Sequence, residues 1–370
     1  MRNNLSDKLT ILVLTYNRYP RLIRLLRYID AIHSPYKINV LDSSREFYDL
    51  SPLASLLERN NITHHRFDPA LRPLEKIHEA MKEVTTPYVV LWADDDLMVL
   101  PSLKDGVEFL EKNTDFNLVQ GPSCLFALDH TSSENKVSAV SPYPQGLISD
   151  QTAAGRLVNH LGHYTTTCYS IHRTQNYKRI MELCFGLKVS YGFGELLPSS
   201  LAVIQGKAGQ IKRLYMVREC HNQMDSWNNS GRPIDVFDII TALDFGQNYE
   251  KFKNCLAGEI VRHDGIAVSQ AEDFVKQAFW SYLNRSLRIK FEQQYKRGLL
   301  GMRLRAKQSL KGNRLARKSL LPPLRFLRSK IYLRETMSLS ALLNSKSPYH
   351  EDFMPIYRAV TAPLEMEAIS

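Results

Sequence analysis

Three consecutive carboxylates, Asp94-Asp95-Asp96, follow the apolar run Pro87-Tyr88-Val89-Val90-Leu91-Trp92. Adjacent ionised carboxylates repel one another and are costly to bury unpaired. A group at the end of an apolar strand therefore needs a compensating cation or contact with water. A divalent metal that carries phosphate oxygens supplies the first, because Mg²⁺ and Mn²⁺ take one or two carboxylates together with phosphates and water. A solvated acidic turn that caps the next helix is the plainer alternative. Two further polar turns follow apolar runs: Thr15-Tyr16-Asn17-Arg18 and Asp42-Ser43-Ser44.

The elements that must position these turns can be read from periodicity. Leu9–Leu14, Lys37–Leu41, Ile62–Phe67, Pro87–Trp92 and Asn117–Gln120 read as strands. Between them Leu22, Leu25, Leu26 and Ile29, then Leu53, Leu56 and Leu57, then Leu74, Ile77, Met81 and Val84 fall at helical spacing. Alternation of apolar strands and helices predicts an α/β fold with a mostly parallel sheet covered by helices on both faces. Ligands bind outside the carboxyl ends of such strands, where all three polar turns lie. Beyond residue 125, 129–145 is expected to be a loop, 164–172 a strand, 195–205 a helix, 212–218 a strand and 235–294 helical.

Composition narrows the function classes. The chain has 370 residues, 44% hydrophobic and 23% charged, as in soluble globular proteins. No apolar run suits a membrane span or a signal peptide, so a cytoplasmic protein is expected. Five cysteines without CxxC spacing argue against a disulfide framework or a zinc knuckle. The net charge of +10 is local: 296–334 holds 13 Lys and Arg and no acid, leaving 35 basic against 38 acidic residues elsewhere. That cationic, leucine-rich stretch suits an anionic membrane surface, with a solvated face or a subunit contact as the alternative. No nucleic-acid reader motif accompanies it, so nucleic acid is not an expected partner.

Leu12-Val13-Leu14-Thr15-Tyr16-Asn17-Arg18, Val40-Leu41-Asp42-Ser43-Ser44 and Leu91-Trp92-Ala93-Asp94-Asp95-Asp96 together resemble family 2 glycosyltransferases of the GT-A fold. The resemblance covers roughly residues 8–220 and rests on the order and placement of the three motifs. It implies a nucleoside-diphosphate sugar donor, with UDP favoured, a divalent cation (Mn²⁺ or Mg²⁺) and inversion at the anomeric carbon. It implies a nucleotide pocket lined by Thr15, Tyr16, Asn17 and Arg18, with Asp42 accepting from the base. Asp94 would lie near the ribose and the metal, and Asp96 would be the more direct metal ligand; a run of three leaves open which of Asp94, Asp95 and Asp96 faces the cation. Lys76, with Arg72 in reserve, would reach the diphosphate, and a surface lysine is the alternative.

An inverting transferase needs a carboxylate to take the acceptor proton. The family's Glu-Asp pair follows a Gly-rich loop, and here Tyr191-Gly192-Phe193-Gly194-Glu195-Leu196 offers Glu195 with Leu196 in place of the Asp. Glu195 is thus the candidate base, and helix capping is its alternative role. By the same resemblance Arg218 would touch the diphosphate and His221 the metal. Tyr164, Tyr169 and His172 read as core aromatics, with an acceptor-pocket lining as the alternative. The expected organisation is a transferase domain over 1–230 (nucleotide-sugar half to about 125, acceptor half beyond), a helical segment over 231–295 and a basic region over 296–370. The implied acceptor is a glycan or lipid-linked hydroxyl of a bacterial surface-polysaccharide pathway. The implied place is the cytoplasm, or the periphery of the inner face of the membrane. A nucleotidyltransferase and a non-catalytic scaffold of the same fold are the competing readings.

Overall fold

The computed structural model describes residues 5–129, 135–220, 236–310 and 336–362; side chains are described within these ranges except at 5, 191 and 293–310. Seven strands form the main sheet: β1 (Leu9–Thr15), β2 (Lys37–Asp42), β3 (Ile62–Arg66), β4 (Tyr88–Ala93), β6 (Phe116–Gln120), β9 (Ile171–Arg173) and β10 (Lys207–Gln210). Their order is β10-β6-β9-β4-β1-β2-β3, and every pairing is parallel except those of β9. The mostly parallel α/β sheet read from periodicity is therefore present.

Both faces of the middle of this sheet are dry, for the reason visible in the strands. Along β1, β4 and β6, successive residues point to opposite faces, and both sets are apolar. Ile11, Val13, Val90, Trp92 and Val119 belong to one core cluster, which includes α1 (Tyr19–Ala31) and α4 (Leu100–Lys112). Leu12, Val89, Leu91 and Leu118 belong to the other. That second cluster takes in α3 (Pro73–Glu83), α5 (Ala153–Gly162), α6 (Thr174–Leu187) and α8 (Leu196–Ile204). It also holds apolar residues of α10 (Phe245–Asp264) and of the long α11 (Val268–Leu310). Two short helices, α2 (Ala54–Arg59) and α7 (Tyr191–Gly194), complete this part, with α9 (Val236–Thr241) preceding α10. The last described segment returns to the first half: α12 (Leu339–Leu342) and α13 (His350–Thr361) bring Leu342, Phe353, Ile356 and Val360 into the α1 core.

A second, smaller sheet has the order β5-β11-β7-β8, from β5 (Leu97–Met98), β11 (Met216–Glu219), β7 (Ser123–Asp129) and β8 (Lys136–Tyr143). Three sequence expectations are corrected. Residues 136–143 are not loop but a strand antiparallel to β7, because pairing satisfies their backbone although their side chains are mostly exposed. Of the strand expected over 164–172, only Ile171–Arg173 forms, since those residues alone pair with β4 and β6. The strand expected over 212–218 starts later, at Met216.

Candidate functional site

The chain runs from β1 to β2 and β3 on one side and places β4 on the other side of β1. The direction of strand order reverses at β1, and the crevice at such a reversal is where open α/β sheets bind ligands. Register brings the polar turns level there: Thr15 pairs with Asp42, and Leu14 with Ala93.

Side-chain bonds join the three turns. Arg18, just beyond β1, places Nη2 2.6 Å from Asp94 Oδ1 and Nη1 2.8 Å from Asp95 Oδ2. Asn17 takes a positive φ of 54°, its amide donating to Ser44 Oγ at 2.8 Å and its side-chain oxygen accepting from the Arg45 amide at 2.9 Å. Asn tolerates this left-handed conformation better than most residues. Lys76 from α3 donates to the Thr15 carbonyl at 3.0 Å and to Ser43 Oγ at 2.9 Å. It is buried, and burial lowers its ammonium to about 8 despite Asp42 and Asp94 nearby. Lys76 is thus not a surface lysine; it ties the first turn to the second. Arg72 pairs with Glu75 at 2.8 Å.

Asp42 is saturated. It accepts from Tyr19 Oη at 2.7 Å, Arg66 Nη1 at 2.8 Å and the Ser44 amide at 2.8 Å, and lies 3.0 Å from His64 Nε2. Burial alone would raise its carboxyl, yet bonds from His64, Ser44 and Tyr19 hold it far below the usual range. Tyr19, His64 and Arg66 were missed in the sequence. Alternation along β3 puts His64 and Arg66 on one face, and Arg66 pairs in register with Asp42, which was the available signal.

Asp96 meets a different partner. Because β5 follows it directly and pairs antiparallel with β11 (Leu97 with Val217), the continued register sets Asp96 opposite Arg218. Arg218 Nε lies 2.8 Å from Asp96 Oδ2, and the Glu219 amide donates to Oδ1 at 3.3 Å. The guanidinium sits between two rings, 4.9 Å from Tyr143 and 4.5 Å from Tyr169, and donates to both hydroxyls. Behind it Glu219 is paired with Arg24. The Trp92 indole donates to the Asp96 carbonyl at 2.5 Å, which closes the acidic turn.

Burial pushes Asp94 up to about 6 and Asp96 up to about 7, against the pull of Arg18 and Arg218 respectively. The cause is loss of water, which Arg18 and Arg218 offset only in part. Among the described residues no three His, Cys, Asp or Glu converge as a complete metal site. One or two carboxylates suffice for a hard cation that arrives with phosphate and water; Asp94 and Asp96 are two such groups, each paired with an arginine. His221 lies outside the described residues, as do the structural details of 311–335.

Glu195 stands between α7 and α8, with its side chain exposed. It makes no capping bond to α8. Instead Tyr164 Oη donates to Glu195 Oε1 at 2.7 Å. Leu196, at the position of the missing Asp, is 3% exposed and belongs to the core. Glu195, Tyr164, Tyr169 and His172 all line a cavity of about 460 Å³. The three aromatic residues, read first as core, thus also form the walls of a pocket.

No protein-family model matches the chain, and no curated protein matches it. Similar solved structures include S. aureus TarS, at 15% identity and a TM-score of 0.48, covering 75% of this chain and 43% of that one. TarS 1–349 in complex with UDP-GlcNAc is 16% identical, with a TM-score of 0.46 over 75% of this chain and 72% of that one. TarS 1–349 in complex with UDP is 14% identical, with a TM-score of 0.45 over 75% and 71%. The chain spans less than half the length of the first of these structures.

Proposed function

We propose that this chain is a metal-dependent inverting glycosyltransferase that moves a sugar from a nucleoside-diphosphate donor, UDP-sugar favoured, to a hydroxyl acceptor. The observation that carries the reading is the joining of the Thr15–Arg18 turn to Asp94 and Asp95 at the point where strand order reverses. Such a crevice, with arginines and carboxylates facing one another, suits a charged diphosphate better than a neutral ligand.

In this reading Thr15, Tyr16 and Asn17 border the nucleotide, and Asp42, buried with its oxygens already engaged, orders Tyr19, His64 and Arg66 at that end of the pocket instead of bonding the base itself. Asp96 and Asp94 would hold Mn²⁺ or Mg²⁺; His221, the third ligand implied by the sequence, lies outside the described residues. The cation would supply positive charge to the leaving diphosphate. Arg18 and Arg218 add fixed guanidinium forks to the same negative charge. Lys76 keeps the ends of β1 and β2 together, so its part is to hold the pocket's shape. Glu195 takes the acceptor proton, and Tyr164 fixes the carboxylate for that task. Attack from the face opposite the diphosphate inverts the anomeric carbon in one displacement.

A glycan or lipid-linked acceptor would agree with residues 296–334 resting on an anionic membrane surface. No described helix is long and apolar enough to cross a membrane. Sedimentation with anionic and with neutral vesicles tests that contact: binding to anionic vesicles that salt reverses supports it, and binding to neither removes it.

The test of the central reading is thermal-shift binding with UDP, GDP, dTDP and CDP, each with and without Mn²⁺, on the parent chain and Asp96→Ala. A Mn²⁺-dependent shift with one nucleotide, lost in Asp96→Ala, is expected. No shift with any nucleotide from folded protein would sink it. The buried Leu196 favours a second reading, a nucleotide-binding scaffold without turnover. It predicts the same shift but no sugar transfer or UDP-sugar hydrolysis.

A further inference from the structure

We propose that the acceptor carries an apolar group, aromatic or alkyl, beside its reacting hydroxyl, and that this group seats in the cavity next to Glu195. The inference rests on the transferase reading above and names the acceptor class for that same site.

The cavity's volume of about 460 Å³ is that of a site for a small organic group. Its walls are apolar on both sides. Leu14 and Leu91 come from the sheet, Leu74 and Ile77 from α3, and Val189 and Ile239 from the facing segments. Several polar atoms on the lining are already engaged within the protein. Ser199 Oγ donates to the Leu196 carbonyl at 3.2 Å, Cys168 Sγ lies 3.2 Å from Thr166 Oγ1, and Arg72 is paired with Glu75. His172 is buried, with Nε2 3.1 Å from the Thr167 carbonyl, which only an N–H can serve. Its Nδ1 therefore carries the lone pair, and it has no partner. A bare sugar seated here would bury hydroxyls against the apolar stretch formed by Leu14, Leu74, Ile77, Leu91 and Ile239, where only the lining's polar edge, His172 Nδ1 among it, could receive them, which is costly. An alkyl or aryl group incurs no such cost and gains by leaving water.

One ring separates this cavity from the charged edge. Tyr169 lines the cavity, and its ring lies 4.5 Å from the Arg218 guanidinium that holds Asp96. An acceptor anchored in the cavity thereby presents its hydroxyl between Glu195 and the donor. The acceptor oxygen then bonds to the anomeric carbon as the bond from that carbon to the diphosphate oxygen breaks. The diphosphate leaves with the bonding electron pair, and the hydroxyl proton passes to Glu195.

The experiment is calorimetric titration of the full chain with methyl, hexyl and phenyl β-glucosides, each below any micelle concentration, with and without UDP and Mn²⁺. Hexyl and phenyl glucosides are expected to bind at least tenfold tighter than the methyl compound. Leu74→Trp and Ile239→Trp fill the cavity from positions that are only partly buried. Each should abolish the preference, with an unchanged circular-dichroism melt showing that it folds. Equal affinity for the three glucosides, or a preference that survives both filled variants, would overturn the proposal. A preference that is retained while no nucleotide binds would overturn the acceptor role through the transferase reading rather than through the cavity.

Discussion

Arg218 holds Asp96 at 2.8 Å across 122 residues of sequence, with its guanidinium clasped between Tyr143 and Tyr169. Asp96 is 1% exposed, so its charge depends on that partner. Removing one member of a buried pair typically costs about 3–5 kcal/mol. Arg218→Ala should lose a stability of that order in urea denaturation. The double variant Arg218→Ala, Asp96→Asn should recover a good part of it, because no unpaired carboxylate remains. Arg218→Lys should fall between the two, since a lysine keeps the charge but not the planar fork or the stacking. If the double variant is no more stable than the single, the pair is not what holds the edge.

Tyr164→Phe removes the described bond to the Glu195 carboxylate and leaves the ring in place. Turnover should fall by about tenfold, the equivalent of roughly 1.4 kcal/mol, with nucleotide binding unchanged. Glu195→Gln should fall further, by about 10²–10⁴-fold, as for loss of a general base. Steady-state kinetics with the donor identified by thermal shift measures both. Normal turnover in Glu195→Gln would remove this residue from the chemistry.

Lys76 Nζ serves the Thr15 carbonyl and Ser43 Oγ. Lys76→Met keeps the apolar stem and takes the donor from buried Ser43 Oγ, while the Thr15 carbonyl keeps the Ser43 amide at 3.3 Å. A buried group left without a partner costs about 1–3 kcal/mol. The variant should melt lower and bind nucleotide more weakly, because the ends of β1 and β2 are then free to separate. A melt equal to that of the parent would assign Lys76 no part in shaping the pocket.

Burial lowers His160 to about 4, well under the ordinary 6.5 of histidine. Between those values the unfolded chain binds a proton that the folded chain refuses, so stability falls as pH drops from about 6.5 to about 4. Asp94 and Asp96, raised by burial, act in the opposite direction over much of the same range. The parent's own pH profile therefore mixes the two signs. The difference profile between the parent and His160→Gln isolates the histidine: its slope should be close to one proton across that window and zero above pH 7. A flat difference profile would show that His160 titrates normally in the fold.

Five strands of the main sheet, β1, β2, β3, β4 and β6, were legible in the sequence as short apolar runs separated by helices of clear periodicity, whereas β10 was not read and β9 only at its end. The three polar turns were legible as well, since each directly follows such a strand and chain direction puts all of them on one edge. What each carboxylate touches was not legible. Asp96 meets Arg218 because β5 pairs with β11, and a two-residue strand leaves almost no local pattern. Lys76 looked like a surface lysine or a phosphate ligand, and only packing of α3 against the sheet turned it inward. Glu195 was found by its glycine-rich setting, but its bond to Tyr164 spans 31 residues and depends on how α5 and α8 dock. Residue types and local period thus determined the elements and the edge on which the polar groups stand. Long-range register and helix docking decided which charge meets which, because those contacts join segments whose separation no local pattern encodes.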